Sequence, residues 1–140
     1  MLKKRGSKGQ VGVEYMIVIG FVTLAIMSVL ALAYFYSDEI KGNIKLNQVE
    51  SFASQLIGKA ESVFFAGEPS KNTVELYLPE NVESLEIRND GILITTNIGL
   101  EKSVRLFKSK VPLSGTITPT LGLKKISLEA REGDVLVTVI

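Results

Sequence analysis

Lys8-Gly9-Gln10-Val11-Gly12-Val13-Glu14-Tyr15 opens directly onto the apolar run Met16-Ile17-Val18-Ile19-Gly20-Phe21-Val22-Thr23-Leu24-Ala25-Ile26-Met27-Ser28-Val29-Leu30-Ala31-Leu32-Ala33-Tyr34-Phe35-Tyr36. From Tyr15 to Tyr36 no side chain is charged, and Thr23 and Ser28 are the distinctly polar ones. At 1.5 Å of rise per residue those 22 residues would form a helix about 33 Å long. A bilayer's hydrocarbon core is roughly 30 Å thick. The run therefore reads as a membrane-length helix over about residues 15–36, and everything else in the chain is organised by it.

The flanks give that helix a direction. Lys3, Lys4, Arg5 and Lys8 precede it, whereas Asp38 and Glu39 follow it. An excess of cations marks the cytoplasmic side, so the N-terminus is expected in the cytoplasm and the C-terminal part outside. Tyr15 at one end, with Tyr34 and Tyr36 at the other, suits aromatic positions at the two membrane interfaces. Ala31-Leu32-Ala33 has the small-x-small form of a conventional secretory cleavage site. The apolar region ahead of it is longer than the 7–15 residues usual for such signals, which speaks against cleavage there.

The block around Gly9 resembles the class III signal peptide of archaeal type IV pilin-like proteins, a basic residue and Gly followed by Gln-x-Ser-x-Glu-aromatic. Lys8, Gly9, Gln10, Glu14 and Tyr15 match that pattern, and Gly12 stands where the family usually has Ser. The resemblance covers roughly the first quarter of the chain. It implies that a prepilin-type peptidase cuts between Gly9 and Gln10 on the cytoplasmic side, removing the basic leader 1–9 and keeping the hydrophobic helix. Glu14 would then be the fifth residue of the mature chain. The family further implies a filament subunit, inserted first in the bilayer and then assembled by the pilus machinery with copies of itself or with other pilins. Gln10 and Glu14 are the expected assembly residues, the carboxylate of Glu14 meeting the amino terminus of a neighbouring subunit. An N-terminal glutamine can cyclise to pyroglutamate, in which case Glu14 must be protonated, hydrated or hydrogen-bonded to backbone near the helix start.

Composition agrees with one modest domain on an anchor. The chain has 140 residues and a formal charge of +1. Without its first nine residues it would carry 12 basic and 15 acidic side chains, a net −3 that gives no support for nucleic-acid binding. Histidine and cysteine are both absent, which removes imidazole catalysis, thiolate chemistry, disulfides and most zinc sites. No Asn-x-Ser/Thr acceptor occurs.

Beyond Tyr36 the helical pattern continues. Ile40, Ile44, Val49, Phe52, Ala53, Leu56, Ile57, Ala60, Val63 and Phe64 recur at steps of mostly three and four, beside a polar face that includes Lys41, Lys45, Glu50, Ser54 and Lys59. One helix is expected from about 11 to 65, within a segment 10–66. Gly42 is a possible bend, and Gly67-Glu68-Pro69 is a stop. After Pro69 the period drops to two. Strands are expected around Val74–Leu78, Leu85–Ile87, Ile92–Thr96, Ser103–Lys108, Gly115–Thr118, Lys124–Glu129 and Val135–Ile140, with Asn89-Asp90-Gly91 as a hairpin turn tolerant of positive φ. The fold class is α+β: a long N-terminal helix and a small antiparallel β head over 70–140, packed on the helix's C-terminal half.

The head offers no constellation that reads as catalysis, and no cofactor or metal is expected. Ser84 with Glu86, and Lys124 and Lys125 with Glu129, fit solvated strand faces. Asn89, Asp90 and Gly91 lack the spaced acidic positions of a calcium loop. Small residues Gly12, Gly20, Ala25, Ala31 and Ala33 could let apolar helices approach closely. The expectation is a structural subunit without enzymatic activity, a membrane precursor that ends in an extracellular surface filament. The competing expectation is a single-pass membrane protein that never polymerises and whose outward head binds a ligand or partner.

Overall fold

A computed structural model describes the chain from Ser7 to Ile140, without the side chains of Ser7, Lys8 and Gln10. The leader cations Lys3, Lys4 and Arg5 lie outside the described residues. The fold is α+β: a single helix, α1 (Ser7–Ala66), is followed by seven strands. The chain divides into two compact units at Lys41/Gly42. Within the described residues the first is α1 as far as Lys41. The second holds the rest of α1 and every strand.

Helix α1 starts four residues before the expected position and ends one residue after it. It passes through Gly42 without interruption, since one interior glycine costs only about 1 kcal/mol relative to alanine. At the far end Gly67 adopts φ 78° and donates its N–H to the Phe64 carbonyl at 3.0 Å. That conformation costs an L-residue with a Cβ about 1–2 kcal/mol. A Cβ on Gly67 would meet nothing within 4 Å. Gly67→Ala is therefore expected to destabilise the head by about 1 kcal/mol through conformation alone, a fall of roughly 4–8 °C in Tm by circular dichroism. Gly67→Asn, which tolerates the left-handed region, should recover part of it.

The strands are β1 (Lys71–Leu78), β2 (Val82–Arg88), β3 (Gly91–Ile98), β4 (Glu101–Lys108), β5 (Leu113–Thr116), β6 (Gly122–Arg131) and β7 (Asp134–Val139). They form two sheets, in orders β1-β6-β7-β5 and β2-β3-β4. The expected β head on the helix is present, and its pairing is more detailed than the pattern of strands conveys. Four strands separate from three, and β5 pairs with β7 in parallel, Leu113 opposite Val135 and Thr116 opposite Thr138. Alternation of apolar residues tells which face of a strand is buried but not which strand lies beside it. Strand β5 also sits two residues earlier than its sequence pattern implied: it begins at the buried Leu113, opposite Val135, and Ile117, the buried residue of the expected range, lies just past its end.

The β2–β3 turn falls on Asn89-Asp90 as expected, with Arg88 paired to Gly91. Positive φ, however, is confined to Gly91 at 152°. Across the β3–β4 pair a Cβ at that position would run into the Phe107 carbonyl oxygen, so close approach of two backbones is what requires glycine there.

The head core joins the inner faces of both sheets to one stripe of α1. Val49, Phe52, Ala53, Leu56, Ile57, Ala60 and Val63 are buried among Leu78, Ile92, Ile94, Ile126, Leu128, Val135 and Val137. Ile40 and Ile44, which continue that stripe in the sequence, are instead 56% and 51% exposed. At 100° per residue they fall on the face opposite Val49 and Leu56. The apolar period is broken between Ile44 and Val49, a step of five that shifts the stripe around the helix.

Ion pairs contribute little to this fold. Lys45–Glu80 (2.9 Å), Lys102–Glu83 (2.7 Å), Arg88–Glu86 (3.2 Å), Lys125–Glu75 (3.4 Å) and Lys71–Glu129 (3.9 Å) all lie on the surface, each with at least one partner more than half exposed. Exposed pairs of this kind add about 0–1 kcal/mol. Two of them, Lys125–Glu75 and Lys71–Glu129, join directly opposed residues of β1 and β6 and so agree with that register.

Candidate functional site

The sequence places the chemistry of interest at the start of α1. There the backbone is helical from Ser7, so Gly9 and Gln10 are already within the helix, and Glu14 lies one turn after Gln10. Glu14 and Tyr15 are both exposed. The side chains of Lys8 and Gln10 are outside the described residues, and so is any contact between Gln10 and Glu14.

From Val11 to Tyr36 every side chain of α1 is exposed, including large apolar groups such as Met16, Phe21, Leu24, Leu30 and Phe35. None of its most apolar 18-residue window is buried. This separates it from the core helix of a soluble protein, which has similar composition but is covered by its own fold. Burying one Val, Leu, Ile, Met or Phe side chain gains about 1.5–3 kcal/mol. Left in water, this segment would forgo on the order of tens of kcal/mol, more than the ~5–15 kcal/mol total stability of an ordinary domain. Membrane association follows from that balance.

The two polar residues in the run are satisfied inside the helix. Thr23 Oγ1 donates to the Ile19 carbonyl and Ser28 Oγ to the Leu24 carbonyl, each at 2.8 Å. Hydroxyls bonded four residues back leave no donor for hydrocarbon to strand. Thr23 and Ser28 also border a shallow groove of about 540 Å³ with Gly20, Leu24, Met27 and Ala31. Of the small residues marked in the sequence, the helix brings Gly20 and Ala31 onto this face and puts Ala25 on another, beside Ile26 and Val29. A Cβ on Gly12 or Gly20 would meet nothing within 4 Å.

The candidate groups of the head do not converge. Lys124 points inward, 7% exposed, with Nζ donating to Thr120 Oγ1 at 2.7 Å. This corrects its assignment to a solvated face: in β6 it alternates with the outward Lys125 and shares the inner face with Ile126 and Leu128. Its long methylene stem suits that partly apolar position. Lys125 and Glu129 face outward and pair with β1. Glu86 bonds Arg88, and Ser84 is half-buried beside a register shift in β2. Asn89 and Asp90 are exposed at the hairpin tip. Among the described residues no three acidic side chains gather as a metal site would require.

Sequence reasoning overlooked a different set of residues. Tyr77 and Leu123 on one sheet, Val104 and Leu106 on the other, and Leu121 and Leu100 in the connections that precede β6 and β4, are large, apolar and exposed. Their signal was present, since Tyr77 and Leu123 occupy positions at which the β alternation calls for polar side chains. Models of protein families, curated proteins and solved structures were compared with this chain, and none matches it.

Proposed function

We propose that the chain is a prepilin, the precursor of a subunit of an archaeal type IV pilus-like surface filament. The observation that carries this reading is one of order. A basic residue, Gly9, Gln10 and Glu14-Tyr15 stand directly before a stretch of α1 that is apolar on every face and uncovered by its own fold. Such a helix has two environments in which its surface is satisfied: lipid before assembly, and other copies of itself afterwards. Assembly would exchange lipid contacts for close helix packing, for which the groove bordered by Gly20 and Ala31 leaves room. A prepilin-type peptidase cutting after Gly9 would remove the cationic leader while leaving the helix whole. The subunit then works as structure and carries out no chemistry of its own.

Intact mass and N-terminal peptide mapping of the protein from its native host tests the reading. A chain beginning at Gln10, free or cyclised, is the expected result. A start at Met1 would identify a permanent membrane anchor, and a start at Tyr34 a secreted head with no helix to polymerise.

A further inference from the structure

Two exposed leucines stand in connections at one end of the head, the end at which the chain enters it from the apolar run. Strands β3 and β4 form a hairpin whose last paired residues are Ile98 and Glu101. Ile98 sits 3.4 Å from where a Cβ on Gly42 would be. Past the other end of β4, the Lys110 N–H donates to Glu61 Oε1 at 3.1 Å. Strand β4 therefore leads from the level of Gly42 to that of Glu61, and β3, antiparallel to it, runs toward Gly42. The Gly99-Leu100 turn lies beyond Ile98 in that direction. The connection into β6 reaches the same end: Gly122 is paired with Leu78, the last residue of β1. Two residues past Leu78, Glu80 accepts a hydrogen bond from Lys45 Nζ at 2.9 Å.

Leu100 is fully exposed and Leu121 is 59% exposed. The fold requires neither. The hairpin turn needs the positive φ of Gly99, 66°, and the position after it is one that turns ordinarily fill with a polar residue. In the other connection Thr120 Oγ1 accepts from Lys124 Nζ at 2.7 Å, which ties the polar neighbour down and leaves Leu121 outside. At the opposite end, connections 67–70, 89–90 and 132–133 hold no Leu, Ile, Val, Met or aromatic residue, and Val111 in connection 109–112 is buried. Phe65, in the last turn of α1, is the exposed large apolar side chain there. The apolar connections are thus gathered at the Gly42 end.

We infer that this end of the head rests on the bilayer, with Leu100 and Leu121 in the interfacial layer. Chain length selects the occupant. The apolar run ends at Tyr36 and Gly42 is six residues further, a rise of about 9 Å in a helix and at most about 22 Å in any conformation. The headgroup layer is itself about 5–8 Å deep. A lipid surface is therefore within reach of both leucines in every inserted copy, before it meets a second one. Glu61 and the polar connections beside it are about 28 Å beyond Gly42 along α1. Charge does not select an anionic surface, because residues 37–45, 79–83, 99–102 and 117–124 together carry four cations and five acids. The contact is apolar, and zwitterionic lipid suffices for it. It needs the membrane helix and is independent of the filament reading.

The chain contains no tryptophan, so one introduced indole reports one position. Leu100→Trp, Leu121→Trp, Asn89→Trp and Phe35→Trp are each made in the full chain and inserted in vesicles of phosphatidylcholine alone. Loss of emission to phosphatidylcholine brominated near its headgroup is then measured. Tryptophan itself favours the interface; Asn89→Trp, exposed at the opposite end, carries the same bias and is the control. The expected result is strong quenching at positions 35, 100 and 121 and none at 89, unchanged by high salt. Quenching at 35 with none at 100 or 121 would overturn the proposal and leave the membrane helix standing. Equal quenching at 89 and 100 would overturn it too, since the head would then have no preferred end. A blue shift at 100 and 121 that grows with the protein-to-lipid ratio, without quenching, would assign the leucines to a second copy and not to lipid. No quenching at 35 would remove the membrane helix and this contact together.

Discussion

Leu56→Ala is expected to bring the head close to its unfolding threshold, while the same substitution at Leu30 leaves the head's stability unchanged. Leu56 is fully buried at the centre of the helical stripe that both sheets cover. Truncating a core leucine removes its transfer energy and leaves a cavity, together about 2–5 kcal/mol. The head spans residues 42–140, and a domain of that size has about 5–15 kcal/mol in all. Leu30 is 63% exposed, so no cavity forms around it. Urea titration of the full chain in detergent, followed by the circular dichroism of the strands, should show a large fall in midpoint for Leu56→Ala and none for Leu30→Ala. Equal midpoints for the two variants would mean that α1 does not contribute to the head core.

Glu14→Ala is expected to insert in the membrane normally and to enter filaments ten- to a hundredfold less well than the parent. Alanine is at least as compatible with lipid as glutamate, and the apolar run from Tyr15 is untouched. Within a bundle of such helices a carboxylate is tolerated only with a partner. A hydrogen bond to a charged group contributes about 1.5–3 kcal/mol, or one to two decades in equilibrium. Glu14→Gln separates the possible partners. If the carboxylate pairs with the free amine of a neighbour's Gln10, glutamine should fail nearly as badly as alanine. If Gln10 is cyclised and Glu14 is held by hydrogen bonds to backbone, glutamine should restore most of the yield. Filament yield by immunoblot against total membrane protein reads both, and a normal yield from Glu14→Ala would remove the assembly role.

Much of the head is legible in the sequence alone. Val74, Leu76 and Leu78 alternate in the sequence, and the latter two are buried in β1; the Asn89-Asp90 turn lies between β2 and β3; Gly67 ends α1. These are local features, set by side-chain spacing or by the φ a residue can adopt. Partner choice could not be read in this way. That β5 lies parallel to β7, or that the head has two sheets, depends on backbone hydrogen bonds between segments far apart in sequence, to which alternation is blind. The inward turn of Lys124 was hidden for a related reason, since a charged residue at an apolar phase carries no mark of whether its stem is covered. Ile40 and Ile44 erred in the opposite direction, because a five-residue step in the pattern rotates them off the buried stripe.

What the sequence determined by itself is the α+β order of elements and a membrane-length helix, because hydropathy and period are properties of a residue and its near neighbours. What only the tertiary structure decided is which surfaces remain uncovered: the whole of α1 from Val11 to Tyr36, the groove beside β1 and the outer face of β4. Exposure depends on everything that packs around a side chain, and that is fixed by contacts the chain makes only once it is folded.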